Sequence, residues 1–271
     1  MSGNAFTINF NWGWRPEEPG EIARKFLQTL DALSDISPHF GPWAMGDHQG
    51  EPSETLFPLE DVRSRFTEIV ERGVYTHEDG EPFPRGGYAV SAFNRVYSSP
   101  DSVTLGVDAG GADGFARGAQ FHTNGDQIPD PAIVAYPVFK SVLTTIVSIW
   151  NVTKAQAFSS DLTKFWDYPR FKFDLDWMVY LSQPLAAQIT PPADVIVERP
   201  ECGGLLLIAA EETFDTANPK HMAASRRIHD ALAPINNLAQ HARDKQRMEE
   251  ADRQLMATGF PGVILRGPGS W

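Results

Sequence analysis

The chain has 271 residues, 42% of them hydrophobic and 21% charged, with a mean hydropathy of −0.30. That balance excludes collagen-like and wholly disordered classes, and the length allows one large domain or two small ones, with a core that needs no staples. Lys plus Arg total 23 against 35 for Asp plus Glu, a formal charge of −12 that repels phosphate backbones and argues against direct nucleic-acid binding.

The opening FTINFNW alternates Phe6, Ile8 and Phe10 against Thr7, Asn9 and Asn11, the period of a half-buried strand. Pro16 and Pro19 then fit a helix start, Glu17, Glu18 and Glu21 suit the positive end of its dipole, and Ile22, Phe26, Leu30 and Leu33 follow at helical spacing, with an end before Pro38. From His39 to Pro58 the chain reads as a loop anchored by Trp43. Leu59, Val62, Phe66, Ile69 and Val70 predict a second helix capped at Gly73. THEDGEPFPRGG is a polar connection, and YAVSAFNRVYSSPDSVTLGVDAGG reads as a hairpin turning at Ser98-Ser99-Pro100-Asp101. A short strand is expected around FARGAQFH, and a buried helix over VFKSVLTTIVSIW despite its β-branched content. Strands are expected at KAQAFSS, FDLDWMVYLS, DVIVERP and GGLLLIAA, and helix from Asn218 to about Thr258, interrupted at Pro234.

Strands in runs bracketed by helices favour an α+β class: an antiparallel or mixed sheet flanked by helices, with a long C-terminal helical segment. No repeat or linker divides the chain, so residues 1–271 read as a single domain. The one cysteine, Cys202, forbids an intrachain disulfide, and neither a signal peptide nor an apolar stretch long enough to span a bilayer is present; these features fit the cytoplasm. The acidity is uneven. Residues 1–130 carry 20 acids and 9 bases, whereas 131–271 carry 15 and 14, which reads either as a solvated face or as a surface for a basic partner.

Motifs for catalysis are largely missing: no GxSxG elbow, phosphate loop, HExxH or CxxC pair occurs. In DAGGADGFARG, Asp108, Gly110, Gly111, Asp113 and Gly114 could cradle a phosphate or a hard cation, although glycine and aspartate are also ordinary turn residues. His77 stands beside Glu78 and Asp79, and His122 precedes Asp126 and Asp130, without metal-like spacing. His221 and His229, eight apart, diverge by about 80° around a helix. Cys202 reads as a small buried apolar side chain in preference to a nucleophile. Trp12 and Trp14 would share one face of a strand end, and with Trp43, Trp150, Trp166 and Trp177 they read as core residues first and interface anchors second.

Three stretches carry a family resemblance. WGWRPEEPGEIARKFLQTLDALSDISPHFGPW, with Trp12, Gly13, Arg15 and Trp43, resembles the start of bacterial immunity protein 52 family members. DWMVYLSQPLAAQITPP and GGLLLIAAEETFDTANPKHMAASRRI, with Phe214, Asn218, Pro219 and His221, look like later parts of the same pattern. The resemblance implies a cytoplasmic, non-enzymatic antidote without a cofactor, which neutralises a toxin of restriction-endonuclease fold delivered by type VI secretion or a related system. A nuclease cleft is basic because it holds phosphates, so an acidic protein could cover it.

Charge distribution and loop placement, not the family pattern, single out the expected partner-binding residues: Glu17, Glu18, Asp47, Glu51, Glu54, Glu78, Asp79 and Glu81, with Trp14, Trp43 and Tyr75 as anchors. Two other readings stay open. One is a small metal-dependent hydrolase using Asp108, Asp113, His122 and Asp126 with a divalent cation in the segment 108–130; the other is an adaptor of the secretion machinery.

Overall fold

The computed structural model describes residues 4–13, 15–45, 57–77, 79–94, 99–112, 118–124, 127–165 and 174–236. Its first strand, β1 (Phe6–Asn11), buries Phe6, Ile8 and Phe10 and turns Asn9 to solvent, as the alternation requires. Helix α1 (Pro19–Ile36) follows, with Pro19 at its first position, where a missing N–H costs nothing; it ends at Ser37 before Pro38. The loop expected from His39 to Pro58 contributes two short strands, β2 (Ala44–Met45) and β3 (Phe57–Pro58), which pair with each other at the sheet's edge. The second helix is split into α2 (Leu59–Val62), a 3-10 turn over Arg63–Arg65 and α3 (Phe66–Arg72), because Val62 and Arg65 sit at φ near −120°. Gly73 ends it as expected; a Cβ there would lie 2.1 Å from the Ala89 carbonyl oxygen, so glycine is what lets the helix end abut the sheet.

Strands β4 (Tyr88–Phe93), β5 (Val103–Ala109) and β6 (Gly118–Thr123) form a meander, and α4 (Tyr136–Trp150) leads to β7 (Lys154–Ser159). The β-branched residues of α4 do not prevent the helix, because Val142, Ile146 and Val147 are buried and tertiary packing outweighs propensity. Then come β8 (Met178–Leu181), α5 (Gln183–Ala186), β9 (Ile196–Glu198), β10 (Leu205–Ile208), α6 (Pro219–Ala231) and α7 (Ala233–Asn236). The strands make one sheet in the order β3-β2-β4-β5-β6-β1-β7-β8-β10-β9, and every pairing is antiparallel, which resolves the sheet type.

One face of the sheet carries Phe6, Ile8, Leu105, Val107 and Phe121 and is covered by α1, α3 and α4. Phe139 of α4 joins this core, stacked on Trp177 at 5.5 Å and edge-on to Phe121 at 6.0 Å. A second, smaller core lies on the opposite face, where Val179, Leu181, Leu205 and Leu207 meet Ile228 of α6 and Leu232. Trp12, Trp43, Trp150 and Trp177 are all buried, whereas Trp14 and Trp166 lie outside the described residues.

Two further expectations change. The long C-terminal helical segment is not supported: the described chain gives α6 and the single turn α7, parted at Leu232, and residues 237–271 lie outside the description. Cys202 is exposed, not buried, because Gly203 and Gly204, at φ +86° and +83°, turn the chain between β9 and β10 and put it on the tip. Burial of part of its side chain pushes the thiol's pKa up, the opposite of an activated nucleophile.

Gly110, at φ +80°, is where α1's entry meets the end of β5: a Cβ there would stand 2.7 Å from the Glu17 carbonyl oxygen. Gly110→Ala should cost about 2 kcal/mol or more in urea unfolding, since it adds left-handed strain to a backbone clash; unchanged stability would show that this junction can relax.

Candidate functional site

The end of the sheet where β1 stops, β4 begins and β5 finishes collects most of the described residues that the sequence singled out. There Gly13, at φ +76°, donates its N–H to Asn11 Oδ1 at 3.1 Å and turns the chain out of β1. Trp12 folds inward and stacks on Trp150 at 4.9 Å. Arg15 doubles back, donating from Nη2 to the Trp150 carbonyl at 2.6 Å with its guanidinium 5.3 Å from the Trp12 ring. The Glu17 side chain, 8% exposed, lies 3.3 Å from Arg15 Nε and accepts a short hydrogen bond from Lys25 Nζ. Lys25 also sits 5.6 Å from the Trp150 ring. Trp-Gly-x-Arg is therefore a clasp that binds the end of β1 to α1 and α4. Glu17 is engaged within it, and Trp14 lies outside the described residues.

Glu18 is exposed at the head of α1, its carbonyl accepting the N–H groups of Glu21 and Ile22. Nearby, burial and then the carboxylates of Glu18 and Glu71 push the Tyr88 hydroxyl's pKa up. Glu21 is held down to about 2, first by its hydrogen bonds from Arg24, at 2.7 and 3.0 Å. Tyr88 and Glu71 had no motif to announce them. Only the register of β4 and the end of α3 bring them beside Glu18.

Tyr75 donates its hydroxyl to Asp108 Oδ1 at 2.6 Å. Burial raises the Tyr75 pKa first, with the Asp108 charge adding to it, while Asp108 is raised by burial against the downward pull of that hydrogen bond. Asp108 thus serves as an internal acceptor. It does not converge with His122, which pairs with Thr104 while Asp108 pairs with Gly118, a separation of four residues or about 13 Å along the strands. Burial lowers the His122 pKa, and its Nδ1 lies 3.3 Å from the Thr123 carbonyl. Asp113 and Asp126 lie outside the described residues. Among the described residues no three His, Cys, Asp or Glu side chains are placed to hold a metal ion.

From Tyr75 the chain makes a small hairpin. Phe83 N–H donates to the Tyr75 carbonyl at 2.6 Å, His77 N–H to Glu81 at 2.9 Å, and Gly80, at φ +87°, donates back to His77 at 3.0 Å. The His77 ring packs on Phe83 at 4.5 Å. Asp79 and Glu81 are exposed at the tip, with Asp79 Oδ1 accepting the Glu81 N–H; Glu78 lies outside the described residues, as do Asp47, Glu51 and Glu54. Trp43 is elsewhere. It is 5% exposed and donates its Nε1 to Leu30 O and Ser34 Oγ near the far end of α1, about 20 Å along the helix from Glu18.

The C-terminal pattern also acts within the fold. Asn218 caps α6 by accepting the Lys220 N–H at 3.0 Å, and Pro219 takes the first helical position. His221 is buried against Phe214; its Nδ1 accepts the Asp215 N–H at 3.1 Å, so the proton sits on Nε2, 2.8 Å from Glu212 Oε1. A shallow, open depression lies here between Glu211, Glu212 and Lys220.

The fold and these sites define an α+β protein whose signature side chains are spent on clasps and caps. The model of the immunity protein 52 family matches residues 5–239, and the chain belongs to that family. It is also similar to the solved structure of the Pseudomonas aeruginosa T6SS protein PA0821, with a TM-score of 0.51 and 10% identity over 87% of this chain and 77% of that one, a likeness of fold alone. No curated protein matches the chain. No helix among the described residues is long and apolar enough to cross a membrane.

Because Glu17 balances two cations in a poorly hydrated clasp, Glu17→Gln should lose about 2–4 kcal/mol of stability, with a change in tryptophan emission as the Trp12–Trp150 stack loosens. Tyr75→Phe should lose about 1–2 kcal/mol by leaving Asp108 without its donor. Urea titrations of each variant check both values.

Proposed function

We propose that the protein is a single-domain, non-enzymatic, cytoplasmic immunity protein that neutralises a bacterial toxin by binding it directly. The observation that carries this reading is the family match across residues 5–239; the likeness in fold to a T6SS protein favours a toxin of that secretion route. The finer reading is that the toxin is a nuclease, of restriction-endonuclease fold by the family resemblance, whose basic cleft is covered by the protein's acidic side. Its support is electrostatic: the net charge of residues 1–130 is −11, and Glu18, Asp79 and Glu81 are exposed.

On this reading Glu18, Asp79 and Glu81 steer the encounter, and Tyr75 contributes by fixing the hairpin base to Asp108. Asp47, Glu51, Glu54, Glu78 and Trp14, which lie outside the described residues, are assigned to partner binding by sequence alone. Glu17 and Trp43 contribute from inside, by holding the frame on which that surface rests.

Co-expression with a toxin encoded beside the gene should restore growth, and the two chains should co-purify; toxicity unchanged by soluble protein would overturn the immunity reading. Reversing charge at Glu18, Asp79 and Glu81 together should slow association about 10- to 100-fold at low ionic strength and flatten its salt dependence in stopped-flow mixing. If wild-type affinity and association rate are the same in low and high salt, steering by the acidic surface is wrong even where protection holds.

A further inference from the structure

The residue pair ahead of β8 holds an unusual side chain. Asp176 is fully buried, at 0% exposure, in the seam between the sheet and α6. Its Oδ2 accepts from Gln156 Nε2 of β7 at 2.9 Å, and its backbone carbonyl accepts from Ser225 Oγ of α6 at 2.8 Å. Its Oδ1 has no hydrogen-bond partner. The charged groups that act on it are Asp174, itself buried two residues earlier, which opposes a second negative charge, and Lys154 of β7, which favours one; α6 presents the uncharged Ser225, with the buried, titratable His221 one turn before it on the same face.

A carboxylate in this position would keep one oxygen that no donor satisfies, on the residue whose backbone carbonyl holds Ser225 of α6, and buried charge without such donors is costly. We propose that Asp176 is a neutral carboxylic acid in the native protein and works as a proton-held latch for α6: losing the proton puts an unpaired charge in the seam and loosens the helix from β8 and β10. The latch matters to the second core, because α6 supplies Ile228 to the apolar set around Val179, Leu181, Leu205 and Leu207. Burial is the main reason the proton stays, outweighing the Gln156 hydrogen bond, and Asp174 adds to it.

The unfolded chain releases this proton near the ordinary aspartate value, about pH 4, while the folded chain keeps it well above that. Stability from this group is therefore fully present below about pH 4 and declines as pH rises, until Asp176 ionises in the folded state and the loss levels off.

The test compares the full chain with its Asp176→Asn variant, which keeps the shape and cannot ionise. The melting-temperature gap, variant minus wild type, should widen on the order of 2–4 °C for each pH unit above about pH 5, until Asp176 ionises in the folded protein. In hydrogen exchange at one alkaline pH, amides of α6 should be better protected in the variant, with α1 and α4 unchanged. Carboxyl 13C NMR of wild-type protein should show Asp176 keeping its proton well above pH 4, a reading that does not depend on the variant folding. A gap that stays flat, α6 protection equal in the two proteins, or an Asp176 signal titrating near pH 4 would each overturn the latch.

Discussion

The insertion of β1 between β6 and β7 is the constraint on which the rest depends. The strand closest to the N-terminus sits in the middle of a ten-stranded sheet, with Ile8 opposite Phe121 on one side and Ala157 on the other. Both partners lie more than a hundred residues away in sequence, so the sheet cannot be completed until the meander and α4 are present. Loop-closure entropy must be overcome before these pairings contribute. What rewards them is the face they create: Phe6, Ile8 and Phe10 fill the floor beneath α1 and α4, and Phe6 meets Phe139 and Trp177 edge-on at 6.1 and 5.8 Å.

The clasp at the end of β1 follows from that placement. A central strand that stops at Asn11 must send its chain out over a core already occupied by Trp150, and Trp12 solves the packing by stacking on it. The turn then brings Arg15 to the Trp150 carbonyl, which the C-terminal end of α4 leaves without a helical donor. Arg15 and the semi-buried Lys25 need a counter-ion there, and Glu17 supplies it. Desolvation makes such a cluster poor evidence for net stability, but it fixes the angle at which α1 leaves β1. That angle in turn sets where Glu18, Gly110 and Tyr88 meet.

Most of the frame was legible because its signals are local. Period-two alternation located β1, spacing of Ile22, Phe26, Leu30 and Leu33 located α1, and Asn218-Pro219 marked the start of α6. The two-residue strands β2 and β3 were not legible, since they have too few residues for any period and exist only by pairing at the sheet edge. The site was legible by charge and not by contact. Acidic composition pointed to Glu17 and Glu18 alike, yet only tertiary structure separates a carboxylate clasped by Arg15 and Lys25 from an exposed one a residue later. The same holds for Asp108 and His122: as neighbours in a glycine- and aspartate-rich stretch they looked able to share a cation, and the β5–β6 register keeps them apart.

Trp12, Arg15 and Trp43 at one end, and Phe214, Asn218 and His221 at the other, direct their side chains to partners within the protein: a stacked ring, a helix-end carbonyl, a capped N–H. Groups engaged in this way cannot distinguish one external partner from another, and replacing them changes the frame before it changes any interface. On the proposed function, discrimination between toxins falls to exposed positions built on that frame, such as Asp79 and Glu81 on their hairpin. Their carboxylates hold up no core, so their sequence can change at little cost in stability. On that proposal, a scaffold fixed from inside and read from outside would let one fold serve against partners of different surface charge.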